Sequence, residues 1–95
     1  SNGPRKVVKH APVVKDVVKA VEYFRKASDL GNVRAACNLA DNYYNGQGVE
    51  QSFDEARKLY KKAADGNDEV ARFRLGIMMI NGDGGEENFI LHRRN

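Results

Sequence analysis

The 95 residues contain one cysteine, Cys37, and two histidines, His10 and His92. A single thiol cannot close an internal disulfide, which excludes the usual staple of small secreted domains and favours a cytoplasmic setting. No apolar run approaches the roughly 18 residues that a bilayer span requires, so no membrane-crossing helix is expected. The opening SNGPRKVVKH has neither the apolar core nor the small-residue cleavage site of a signal peptide. Its Ser1-Asn2-Gly3 reads as a tag remnant. The two histidines lie near opposite ends of the chain, and no Cys or carboxylate cluster with ligand spacing accompanies either. No catalytic residue, metal or cofactor is therefore expected, and the chain reads as a non-enzyme.

The formal charge of +3 is unevenly placed. Residues 1–26 hold seven basic side chains against Asp16 and Glu22, whereas residues 27–85 carry seven basic and nine acidic ones. A basic arm of this kind can touch an anionic surface, but no interleaved aromatics or groove-reading motif stands beside it. Nucleic acid is not the expected partner, and an arm docking on nucleic acid or membrane is the second functional reading. By this division residues 1–11 are tag remnant and basic arm, and residues 12–95 form the folded domain.

What the chain does have is an internal repeat. A shift of 36 lays Ala20 on Ala56, Phe24 on Tyr60, Ala27 on Ala63, Ala35 on Ala71, Leu39 on Leu75 and Gly46 on Gly82, without a gap. A period in the mid-thirties signals a solenoid of stacked helix pairs, each burying its apolar face against its neighbours. Helical periodicity predicts an all-α chain with helices near 13–29, 33–45, 52–65 and 68–80. Pro12 suits a first helical position, while the repeat register offers Asp16 as an N-cap opposite Ser52. Ser52 and Glu55 form a capping-box pattern, and Asp54 stands four residues before Lys58 as a surface pair. Ala35, Leu39 and Tyr43 are the expected core stripe of the second helix, and Ala71, Leu75 and Met79 that of the fourth. Leu30 lengthens the first turn before Gly31 while Gly66 comes one position earlier, so the helix angles are expected to differ there. Beyond Gly85 the register holds through Phe89, opposite Phe53, and then fails at His92.

The order Ala35, Leu39, Tyr43, NGQGV, Asp54, Ala56, Leu59-Tyr60, Lys62-Ala63-Ala64 and Gly66 resembles the Sel-1-like repeat, a relative of the tetratricopeptide repeat. The double-glycine loop after an aromatic is the specific part, and the likeness covers about two repeats, from residue 13 to about residue 90. This resemblance implies a right-handed α/α superhelix and a scaffold or adaptor that assembles proteins. Bacterial members with β-lactamase-like character carry a cysteine pair in each repeat, which this chain lacks.

Comparing copy with copy yields the candidate binding residues. Arg34, Cys37, Asp41 and Tyr44 form a polar stripe apart from the expected core, and their counterparts 36 residues on are Val70, Phe73, Ile77 and Ile80. Cys37 read by itself is a small packing residue rather than a reactive thiol. By the family resemblance the extra stripe lines the concave surface where partners dock. The apolar version must be covered by something. Three occupants are open: a protein or peptide partner, the segment around Phe89, Ile90 and Leu91, or a second copy of the chain as a homo-oligomer.

Overall fold

The computed structural model describes residues 10–83, with side chains from Asp16 onward. Four helices follow in order: α1 (His10–Asp29), α2 (Val33–Asn45), α3 (Phe53–Asp65) and α4 (Glu69–Asn81). Each packs on its neighbours in the chain, and the contact between α2 and α3 is the most extensive. This is the all-α repeat stack that the 36-residue period implies. The expected coverage of residues 1–9, the basic arm among them, and of residues 84–95, with Phe89, Ile90 and Leu91, lies outside the described residues.

Each helix start after α1 is fixed by one side chain. Asn32 and Asp68, 36 residues apart, accept the backbone N–H of Ala35 at 2.8 Å and of Ala71 at 2.9 Å. Ser52 accepts the N–H of Glu55 at 3.1 Å. Such a cap satisfies a donor that the helix cannot, and is worth about 1 kcal/mol. Only half of the expected capping box forms. The Ser52 N–H donates to the Tyr43 carbonyl at 2.9 Å, and the Glu55 carboxylate faces Lys58 at 3.9 Å, which also displaces the expected Asp54–Lys58 pair. At α1 the helix is under way by His10 and Asp16 lies inside it, so Asp16 is no cap; Pro12 sits in the first turn, where its missing N–H costs nothing.

The two turns that link α1 to α2 and α3 to α4 close alike despite their different sequences. Asn32 N–H reaches the Ala27 carbonyl at 2.9 Å and Gly31 that of Ser28 at 2.9 Å; Asp68 reaches Ala63 at 3.0 Å and Asn67 reaches Ala64 at 2.8 Å. This is the Schellman arrangement, with the left-handed residue at Gly31 (φ 100°) and at Asn67 (φ 73°). The register departure at Leu30 and Gly66 therefore leaves the turn unchanged. Gly66 answers a different need: a Cβ there would stand 2.2 Å from Val33 Cγ1.

The core is built largely of alanine. Ala36, Ala40, Ala56, Ala63 and Ala71 are fully buried together with Cys37, and Tyr60 and Met78 supply the bulk. Small side chains at these positions let the helix axes approach closely. In α4 the inward position is Met78 (1% exposed), whereas Met79, expected in the core, is 47% exposed. The inward row runs from buried Ala71 through partly buried Leu75 to buried Met78, a spacing of four and then three, where the sequence reading took four and four.

Candidate protein-docking face

The stripe on α2 is a junction between repeats. Arg34 Nη2 lies 3.2 Å from Asp68 Oδ1, the same oxygen that caps α4. The Tyr60 hydroxyl of α3 donates to Asp41 Oδ1, and Arg74 Nε of α4 lies 3.3 Å from that oxygen. Tyr44 donates to Asp83 Oδ2 at 2.9 Å, and its ring packs on that of Phe53 with centroids 5.0 Å apart. Three polar side chains of α2 are thus met by the turn before α4, by α3 and α4, and by the loop after α4.

Cys37, placed by the sequence in the same stripe, is 0% exposed and belongs to the core cluster. It cannot present a binding group, which corrects its place among the candidate contact residues and agrees with its reading as a packing residue. Its burial, reinforced by the nearby Asp41 carboxylate, pushes the thiol pKa up and keeps it protonated. The Tyr60 phenol is likewise pushed well up, first by burial and then by the hydrogen bond to Asp41. Tyr44 shifts in the same direction, chiefly through its bond to Asp83.

On α4 the equivalent stripe has no such cover among the described residues. Val70, Phe73, Ile77 and Ile80 are 37, 66, 40 and 79% exposed. Phe73 and Ile77 of this stripe line a groove of about 460 Å³ together with Asp41, Tyr44, Tyr60 and Arg74, whereas Val70 and Ile80 lie outside its lining. The lining joins the Asp41–Arg74 ion pair to aliphatic and aromatic side chains, a combination suited to apolar side chains carried on a polar backbone. Among the described residues no three His, Cys, Asp or Glu side chains gather as a metal site, and no helix is long and apolar enough to cross a membrane.

The family model of the Sel1 repeat matches residues 11–32, 33–68 and 70–91, most of the chain. The chain belongs to the Sel1 repeat family. Among curated relatives, a cytochrome c oxidase assembly factor 7 homolog from Drosophila melanogaster is 37% identical over 75 residues, covering 73% of this chain and 28% of that protein. An ERAD-associated E3 ubiquitin-protein ligase component, HRD3B of Arabidopsis thaliana, is 39% identical over 59 residues, 62% of this chain and 10% of its own length. A component of the same description, HRD3 of Candida glabrata, is 36% identical over 50 residues. The chain thus spans less than a third of the relatives it matches. No solved structure matches it. Sel1 repeats mediate protein–protein interaction, and the family is of a scaffold type.

Sequence comparison brought Asp41, Tyr44, Phe73 and Ile77 to one groove, while Arg34, paired at the turn before α4, lies outside its lining. It missed Tyr60 and Arg74, which complete the groove. Both were legible as pairs: Tyr60 adds a hydroxyl where Phe24 has none, and Arg74 adds a positive charge where Asn38 has none, each matched to Asp41.

Proposed function

We propose that this chain is a protein-docking segment of a repeat scaffold, without chemistry of its own, that engages protein through the α4 face. The observation that carries the reading is the row Val70, Phe73, Ile77 and Ile80, exposed on α4 where the copies of the last three, Cys37, Asp41 and Tyr44, are buried or half-buried on α2. A continuous apolar row rimmed by charge is the signature of a surface meant to meet another protein. The relatives named as an assembly factor and as ligase components are consistent with such a role. Which partner the whole protein serves is not carried over from them.

Photocrosslinking tests the reading. Benzoylphenylalanine in place of Phe73 should give protein adducts that Ile77→Asp suppresses, and the same probe in place of Lys58, a solvent-facing residue of α3, should give few. Equal labelling at the two positions, or adducts indifferent to Ile77→Asp, would count against the α4 face.

A further inference from the structure

We propose that the α4 face is filled by a second copy of this chain, stacked head to tail, with α1 of one protomer lying on α4 of its partner as α3 lies on α2. The inference deepens the docking role proposed above and rests on it. Its template is internal. α1 is the register copy of α3, and α4 is the register copy of α2, so the junction between α3 and α2 prescribes what a junction between α1 and α4 would contain.

Among the described residues, both halves of that junction are unfilled. Ala56, Tyr60 and Ala63, covered by α2, are 0, 2 and 0% exposed. Their copies Ala20, Phe24 and Ala27 are only half-buried, and Tyr23, the copy of half-buried Leu59, is 68% exposed. On α4, Gly76 stands where α2 has fully buried Ala40, and a Cβ there would meet nothing within 4 Å. Arg72, at the position of Ala36, is turned back to the Ala64 carbonyl at 3.3 Å and to Glu69.

The substitutions across the two junctions are coupled. Inside the chain, Tyr60 donates to Asp41, polar to polar. At the proposed junction the same positions are Phe24 and Ile77, apolar to apolar. Had only one member changed, a buried polar group would stand without its partner. The aromatic contact of Phe53 with Tyr44 becomes Val17 with Ile80, again apolar on both sides. Two distant helices have therefore changed character together, in the manner of surfaces that meet each other. Because the faces differ, the contact is heterologous, and with the geometry by which α3 lies on α2 it continues the solenoid rather than closing into a pair.

Two variants, each blocking one face, test the stacking. Ile77→Asp spoils the α4 face and leaves α1 intact; Phe24→Lys spoils α1 and leaves α4 intact. In sedimentation equilibrium the 95-residue chain should gain mass with concentration past two protomers. Each variant alone should be monomeric, and an equimolar mixture should form a one-to-one dimer and stop there, which also shows that both variants are folded. A chain that stays monomeric up to about 1 mM, the weak end of useful affinities, overturns the proposal, whether residues 84–95 or nothing covers the face. A Phe24→Lys chain that still dimerises while Ile77→Asp does not overturns it in favour of α4 against α4. If the chain is monomeric yet position 73 still crosslinks to other proteins, the docking role stands and the self-stacking fails; if neither occurs, both fail.

Discussion

At Tyr60 a phenol is held neutral by burial and by the Asp41 carboxylate it donates to. Its folded pKa therefore lies above the ordinary value near 10. Stability from this group is complete below about pH 10 and falls as the pH rises beyond it, because the unfolded phenol loses its proton first. Tyr44 and Cys37 shift in the same direction and add to the alkaline loss. Tyr60→Phe should cost about 1.5–3 kcal/mol at pH 7, the worth of a hydrogen bond to a charged acceptor. Arg74 remains beside Asp41 in that variant. Urea midpoints compared between pH 7 and 11.5 should converge, since the variant lacks one of the groups that titrate. Curves that stay parallel would show that Tyr60 contributes nothing to the alkaline slope.

The helices themselves were legible because their ends are punctuated. Asn45-Gly46 and Asn81-Gly82 close α2 and α4 in the same way, Gly46 and Gly82 taking left-handed φ values of 69° and 76°. The α2 boundaries agree with the expectation, and those of α3 and α4 differ by one residue. What periodicity could not resolve was the rotation of α4, since adjacent Met78 and Met79 fit the inward face equally well in sequence. The repeat register favoured Met79 because it lies opposite Tyr43. Yet Tyr43 is itself an edge residue, its hydroxyl accepting a bond from Arg25 at 3.0 Å and its ring lying under that guanidinium. The α2 stripe was misjudged at Cys37 for a related reason. A helix covered on two sides has a wider buried arc than one stripe, and its polar residues pass for a surface when their partners lie 19 to 39 residues away.

Two glycines at this scale should respond oppositely to alanine. Gly48 has φ 77°, and a Cβ there would stand 2.8 Å from methyl groups of Val17 and Val21 and 2.9 Å from the Val17 carbonyl. Gly48→Ala should cost upwards of about 2 kcal/mol, from left-handed strain and the displaced loop. Gly76 lies inside α4 with open space around it. Gly76→Ala should therefore stabilise by about 0.5–1 kcal/mol. Thermal melts of the two variants at low protein concentration check both signs, and a loss at Gly76 would mean that this part of α4 is already covered.

Over the whole molecule, stability in a repeat stack is ordinarily a chain of nearest-neighbour terms, so an end helix can come away alone. Here side chains that skip a helix hold the ends in: Arg74 of α4 reaches Asp41 of α2, and Lys62 of α3 reaches past α2 as a clasp on the end of α1, donating to the Ser28 carbonyl at 2.9 Å and to Ser28 Oγ at 3.0 Å. Ser28 is 1% exposed, and its carbonyl, which already accepts the Gly31 N–H, takes a second bond from that ammonium group. The first and third helices are thereby made to open together, and native-state hydrogen exchange should show the N–H groups of Leu30, Gly31 and Asn32 opening as slowly as the middle of α3. Lys62→Met should uncouple them, speeding exchange at those three amides by about ten- to a hundredfold, the equivalent of one or two charged hydrogen bonds, with a smaller change in α4. A uniform acceleration throughout the chain would place the clasp's effect in global stability instead. With the clasp in place, the α1 surface exists only as part of a folded α1–α2–α3 unit, which makes its availability a report on the integrity of the repeat behind it.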